Sequence, residues 1–307
     1  MPKIMKLTDV GCTEQDVACY IEDPEWVMQQ KFDGTRVQVW QENGELRWSN
    51  DGVKGLTHAA AKLKVPALSE ILAKPFELGD DFVLEGELLI RTGELILWDF
   101  LPSSELPALP WGIRHETLEM FFDQFQLHDS PLVHLTPTAR TSEAKAQMWE
   151  KIKATNVEGA VSKHVDSLYV PGVRTKEWVK HKLVKTADLV VMSATRTFKP
   201  NSTVVHKGNA VLGTQRLEPL PGFPVDGREQ TVPVTTSLCR ASLIGKDLTI
   251  AEGDVVEINY LYLEPGGSPV QPRIVRKRWD AATGTGDKPP AECGMDQFPL
   301  YSREVLR

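Results

Sequence analysis

Apolar and polar positions change period several times along the chain, and each change marks an element. A short extended run ends at Lys31 and meets a turn at Asp33-Gly34, after which Arg36 to Trp40 alternates apolar with polar as a half-buried strand does. Asn43-Gly44 carries a type I′ turn signal and Glu45 to Ser49 returns, so the spacing predicts a hairpin directly after the lysine. Phe82 to Ile90 and Glu94 to Leu101 repeat that arrangement around Thr92-Gly93. Between the hairpins, Ala59 to Leu72 places Leu63, Leu68 and Leu72 at helical spacing. Glu116 to Phe125 and Thr141 to Lys153 also read as helices, the second with Ala144, Met148 and Ile152 in register. The pattern is that of an α+β domain with antiparallel sheets.

Helical periodicity fades near Lys185-Thr186. Ala187 to Ala194, Val204 to Leu212, Thr231 to Val234 and Val255 to Tyr262 read as short strands broken by glycine and proline, a spacing that suits a small all-β barrel. Two domains follow, residues 1–185 and 186–307. The proline- and glycine-rich stretch Glu218 to Gly227 reads as a long loop of the second domain, a surface insertion rather than a clamp.

Composition excludes several classes. A chain of 307 residues with ordinary apolar and charged content is long enough for two globular domains, which argues against disorder. The first residues hold no apolar signal-peptide core and no stretch approaches membrane-spanning length, so a cytoplasmic protein is expected. Four cysteines, Cys12, Cys19, Cys239 and Cys293, show no CxxC spacing, which indicates neither zinc nor a disulfide framework. A net charge of −7 opposes nucleic-acid binding overall, yet Lys176, Lys180, His181, Lys182 and Lys185 form one basic stretch, and Arg273, Arg276, Lys277 and Arg278 another.

Five segments carry the chemistry. Lys31-Phe32-Asp33-Gly34-Thr35-Arg36 reads KxDGxR, and alone it is equally an ordinary turn. Downstream lie Val83-Leu84-Glu85-Gly86-Glu87-Leu88, then Ile96-Leu97-Trp98-Asp99-Phe100-Leu101. The run Asn156-Val157-Glu158-Gly159-Ala160-Val161-Ser162-Lys163 follows, connected through Asp166 to Arg174 with Trp178-Val179-Lys180-His181-Lys182. In order and spacing together these resemble the motifs of covalent nucleotidyltransferases, and specifically of ATP-dependent DNA ligases. No P-loop pattern is present.

The resemblance implies an ATP-grasp-like adenylyltransferase domain followed by an OB-fold domain. It implies that Lys31 attacks ATP and carries AMP, that the AMP passes to the 5′-phosphate of a nick in double-stranded DNA, and that a 3′-hydroxyl then displaces it. Such an amine must be neutral when it attacks, and neighbouring cations with partial burial lower a lysine pKa. Lys163, Lys180 and Lys182 would supply that field and neutralise phosphate charge. Glu87 and Glu158 would hold Mg²⁺, with Mn²⁺ as a substitute. Asp33 would orient the lysine, Arg36 would meet the nick phosphate, and Gln29 and Gln30 would lie at the nucleotide, Gln29 at the adenine edge. Trp98 is the first choice for the aromatic platform beneath the base and Phe100 the second. For Glu85, pairing with Arg174 is a serious structural alternative.

Gly253 to Ile258 and Arg276-Lys277-Arg278-Trp279-Asp280 resemble the family's last strand and motif, where Arg278 would orient pyrophosphate. Ala281 replaces a usual lysine and Ser49-Asn50 a usual Ser-Arg. With only a short segment before Lys31, an additional N-terminal DNA-binding domain is not expected; the protein would be a monomer serving DNA repair, replication or recombination. An RNA ligase or capping-type guanylyltransferase of the same superfamily is the alternative reading, and a non-catalytic OB module a lesser one.

Overall fold

Asn43 and Gly44 take φ values of 53° and 77°, as a type I′ turn requires, and close the first hairpin. In the computed structural model the chain divides into two units, Met1–Leu183 and Val184–Arg307. The structure describes residues 3–50, 55–78, 82–102, 109–155, 157–198, 205–219, 231–243, 250–264, 266–278, 286, 288–293 and 297. Among the described residues no helix is long and apolar enough to cross a membrane.

In chain order the first unit contains β1 (Lys6–Asp9), α1 (Glu14–Glu22), β2 (Trp26–Lys31), β3 (Thr35–Glu42) and β4 (Glu45–Ser49). Then follow α2 (Ala59–Lys62), α3 (Val65–Leu78), β5 (Phe82–Leu88), β6 (Leu95–Pro102) and α4 (Trp111–Gln124). The unit closes with β7 (Val133–Leu135), β8 (Thr138–Ala139), α5 (Ser142–Ala154), β9 (Gly159–His164) and β10 (Arg174–Lys182). The single helix expected from Ala59 is two pieces, broken at Leu63 and Lys64, and the second runs on through Pro75. The fourth helix begins earlier than Glu116, behind Pro110, whose fixed φ suits a helix start.

Two five-stranded sheets form this unit, ordered β1-β10-β9-β2-β8 and β4-β3-β5-β6-β7, mostly antiparallel, with β1/β10 and β6/β7 parallel. Strand alternation gives each sheet two distinct faces. One face of the second sheet (Val37, Val39, Leu84, Leu88, Leu97) packs against Leu68, Leu72 and Phe76 of α3 and Leu118, Phe121 and Phe122 of α4. Met28 and Ala160 of the first sheet pack on Val17 of α1 and on Trp149 and Ile152 of α5. Burying these faces is the main source of stability.

The second unit holds β11 (Lys185–Phe198), β12 (Val205–Pro219), β13 (Thr231–Ser242), β14 (Val255–Tyr260) and β15 (Arg273–Lys277), all antiparallel, in the order β13-β12-β11-β14-β15. Its core is Leu189, Val191, Leu212, Val256, Ile258 and Ile274. The strands are longer than the alternation predicts, and Glu218 and Pro219, expected in a loop, end β12. Residues 220–227 of that expected loop, and Val204, lie outside the described residues. Among the described residues the sheet is open, with no ladder between β13 and β15.

Candidate active site

Pairing register brings the chemistry-bearing residues onto one face. Lys31 opposes Gly159 and Gln29 opposes Val161 across β2 and β9, while Lys182 opposes Gly159, Lys180 opposes Val161 and Trp178 opposes Lys163 across β10 and β9. Since directly paired residues of antiparallel strands point to the same side, Gln29, Lys31, Lys163, Trp178, Lys180 and Lys182 share the face turned away from α1 and α5. His181 points the other way and is buried, its Nδ1 3.1 Å from the Gly11 carbonyl and its Nε2 3.1 Å from Ser162 Oγ, which anchors the strand between the two lysines.

Glycine at 159 is a steric requirement. Its φ is +144°, and an added Cβ would lie 1.9 Å from the His181 carbonyl oxygen. Beside it Glu158, 2% exposed at its side chain, receives Lys31 Nζ on Oε2 at 2.6 Å and Lys182 Nζ on Oε1 at 2.7 Å. A carboxylate, rather than another cation, is therefore the charged group at contact distance from Lys31, and Lys182 lies on its far side. Lys180 pairs with Asp9 at 3.5 Å.

The other sheet supplies the facing wall. Arg36 opposes Glu87, and Gln38 opposes Glu85, across β3 and β5. The backbone N–H of Gly34 donates to Glu87 Oε1 at 3.1 Å, and a Cβ on Gly34 would lie 2.5 Å from the Leu88 carbonyl oxygen and 2.9 Å from Glu87 Cγ. Burial, opposed by Lys31 and Arg36, pushes the Glu87 carboxyl up to about 7. Glu85 is wholly buried and pairs with Arg36 and Gln38 rather than with Arg174, which donates to the Leu7 carbonyl. Arg36 also donates to the Met5 carbonyl at 2.7 Å, so it is held by protein groups at the cavity wall.

Between these walls lies a cavity of about 310 Å³, lined among others by Gln29, Gln30, Lys31, Gly34, Arg36, Glu87, Trp98, Thr136, Lys163 and Trp178. The β5/β6 register shifts between Glu85 and Gly86, leaving Trp98 as the extra residue between Asp99 and Leu97, a bulge that re-aims its indole. Arg36 and Lys163 sit 5.6 Å from its ring centroid. Phe100, the second choice for a platform, instead stacks on Phe82 at 4.7 Å in the core. Asp33 is exposed in the turn after β2.

Lys163 is 2% exposed, and its Nζ has no hydrogen-bond partner among the described residues. Three indoles surround it, Trp178 at 4.3 Å, Trp111 at 5.1 Å and Trp98 at 5.6 Å. Burial pushes the amine down to about 7 despite the nearby carboxylate of Asp99. Asp99 is itself held by Arg114 through two bonds of 2.9 and 3.0 Å in the interior. Trp98 Nε1 and Thr136 Oγ1 are likewise buried without a partner. Sequence reasoning missed Thr136, Thr138, His115 and Arg114, and quoted Trp178 only as part of its motif, without a role; Thr138 sits in a two-residue strand that no periodicity marks.

Arg278 belongs to the second unit, 3.4 Å from Glu257 and 3.7 Å from Asp188. Arg276 pairs with Glu257 at 2.9 Å and Lys277 with Asp254 at 2.8 Å, so this basic stretch faces its own acids. Trp279, Asp280 and Ala281 lie outside the described residues. Asn50 donates to Thr57 Oγ1 at 2.8 Å.

No protein-family model matches the chain. It is 27% identical over 292 residues to a protein of Kineococcus radiotolerans named probable DNA ligase, covering 84% of this chain and 56% of that protein. To a DNA ligase of Methanoculleus marisnigri it is 26% identical over 318 residues, covering 91% and 55%. The chain thus spans about half the length of these curated relatives. A solved structure from a structure-function study of Lig E DNA ligases superposes with a TM-score of 0.54 at 15% identity, covering 90% of this chain and 100% of that one, a likeness of fold.

Proposed function

We propose that this chain, a relative of the ATP-dependent DNA ligases, charges Lys31 with AMP from ATP and passes the AMP to the 5′-phosphate of a nick in duplex DNA. The observation that carries the reading is the placement of Lys31. Its Nζ is fixed 2.6 Å from a buried carboxylate while its side chain lines a cavity with unpartnered polar groups at Trp98, Thr136 and Lys163. A nucleophilic lysine needs both features, a group that orients it and accepts its proton, and a pocket beside it for the reacting molecule.

In the first step Lys31 Nζ forms a bond to the α-phosphorus as the bond to pyrophosphate breaks, and Glu158 Oε2 is the acceptor in reach of the departing proton. Lys182, on the other oxygen of Glu158, keeps that carboxylate oriented. Lys163, Lys180 and Arg36 supply positive charge around the polyphosphate, and Trp98 gives the base an aromatic wall. In the second step the AMP passes from Lys31 to the 5′-phosphate. A 3′-hydroxyl then attacks that phosphate, and AMP leaves as the phosphodiester forms.

Among the described residues no cluster of three or more His, Cys, Asp or Glu could hold a metal alone. The donor set suits Mg²⁺ all the same, an ion that binds through one or two carboxylates and keeps waters and substrate phosphates as its other ligands. Glu87, which lines the cavity, would hold it, and Glu158, whose oxygens are engaged by Lys31 and Lys182, would reach it through water; the ion would supply charge against the triphosphate. Support for the domain reading comes from the open five-stranded antiparallel sheet of the second unit, which we assign as an OB-type barrel after an ATP-grasp-like first unit.

Incubation with ATP and Mg²⁺ followed by intact-mass measurement tests the proposal. The native chain should gain one AMP and Lys31→Ala none. No gain in either contradicts it.

A further inference from the structure

Gln29, which lines the cavity, is backed by a hydrogen-bond relay that fixes which way its amide faces. Gln29 opposes Thr138 across β2 and β8 and is 2% exposed. Its Nε2 lies 2.8 Å from Thr138 Oγ1. The same hydroxyl is 3.1 Å from the Thr136 carbonyl and 3.0 Å from Nε2 of His115, a buried ring stacked on Trp111 at 4.7 Å.

The Thr138 hydroxyl and the His115 tautomer together orient the amide. Thr138 has one hydroxyl hydrogen, and a carbonyl can only accept. With the His115 proton on Nδ1, where the Trp98 backbone interacts with the ring, Nε2 takes the hydroxyl hydrogen and only the Gln29 NH₂ group can donate. With the proton on Nε2 the hydroxyl is directed at the Thr136 carbonyl, and the Gln29 NH₂ group again donates to it. Its Oε1 is left over, and among the described residues that oxygen makes no hydrogen bond. Burial keeps His115 neutral by pushing its pKa down to about 3, with Lys163 and Arg140 adding to the shift.

We propose that Thr138 and His115 are positioning residues that lock the Gln29 carbonyl towards the nucleotide cavity. The site thereby admits a purine that presents an amino group at that edge, adenine, and rejects one that presents a carbonyl, hypoxanthine or guanine. A 6-amino group donates to Gln29 Oε1, whereas a 6-oxo group sets two acceptors against each other and leaves both without a partner. The unpartnered Thr136 hydroxyl beside it is free to meet a ring nitrogen. Lys31, two residues along the same strand face, is about 7 Å away, which leaves room for the ribose between base and α-phosphate. The inference rests on the proposed nucleotidyl transfer for its ligand, and its test is arranged to fail separately.

ATP and ITP differ from each other at this edge, so binding of each to the full chain is measured by calorimetry and adduct formation by intact mass. The native chain should prefer ATP on the order of 10–100-fold. Thr138→Val frees the amide to rotate and should bring the ratio near unity through a raised KM for ATP, with kcat little changed. Thr138→Ser should restore the ratio. Gln29→Glu in the Thr138→Val background should restore it too, because a carboxylate presents an acceptor in either orientation. An unchanged ratio in a folded Thr138→Val protein, or a native chain that binds neither nucleotide or both equally, overturns the relay. Preferential binding of ATP without a covalent adduct supports the relay and overturns the nucleophile assignment alone.

Discussion

Glu158 places one carboxylate oxygen 2.6 Å from Lys31 Nζ and the other 2.7 Å from Lys182 Nζ, so a single buried acid spans the lysines of two strands that flank β9. Gly159 makes this arrangement possible, since it lets β9 and β10 approach until the Leu183 N–H reaches the Glu158 carbonyl at 3.0 Å.

Glu158→Gln keeps the shape and loses the charge. An amide cannot orient two ammonium groups or take a proton from either. The rate of AMP attachment should fall by about 100-fold or more, as for other oriented acid–base groups. Stopped reactions followed by intact mass measure this, and a rate within a few-fold of native would remove Glu158 from the mechanism.

Gly159→Ala meets both a positive φ and a carbonyl oxygen at 1.9 Å. A loss of ~3 kcal/mol or more is expected, because strain and a backbone clash act together. Urea unfolding followed by tryptophan fluorescence reads it, and a loss below ~1 kcal/mol would contradict the strand geometry.

Asp99 and Arg114 are buried and joined by two bonds. Asp99→Asn leaves a buried guanidinium without its counter-charge, which should cost ~3 kcal/mol in the same unfolding measurement. Native-like stability would mean that water reaches the pair.

Lys163 makes stability depend on pH with a definite sign. Its ordinary value is 10.5 and burial lowers the folded value to about 7. Between those values the unfolded chain binds more protons, so the contribution of Lys163 becomes more favourable as pH rises through that window. Relative to Lys163→Met, the native chain should gain about 2 kcal/mol between about pH 7 and pH 9. A difference independent of pH would show that the amine stays charged, held by the three indole faces.

Local pattern marked the hairpins, the helices and the lysine before its turn, because each is decided by residues near in sequence. Alternation alone puts Glu85 and Glu87 on one face; the motif resemblance separated them, with Glu87 as the metal ligand and Arg174 as an alternative partner for Glu85, and the structure shows Glu85 enclosed with Arg36 instead, while Glu87 reaches the cavity. Nor does alternation show what holds Arg36, expected to meet a nick phosphate: it lines the cavity and pairs there with Glu85. Thr138 and His115 were invisible for a different reason. Gln29 and Thr138 are 109 residues apart, and the pairing depends on a strand of two residues. Strand lengths in the second unit were underestimated because glycine and proline were read as breaks, whereas Gly208, Gly213 and Pro233 lie inside long strands.

The most direct measurement is the location of the nucleotide. After reaction with ATP and Mg²⁺, digestion under alkaline conditions that preserve a phosphoramidate, followed by peptide mass mapping, should place one AMP on the peptide containing Lys31. AMP on a peptide containing Lys163, Lys180 or Lys182 instead, or on none, would contradict the assignment of Lys31 as the nucleophile.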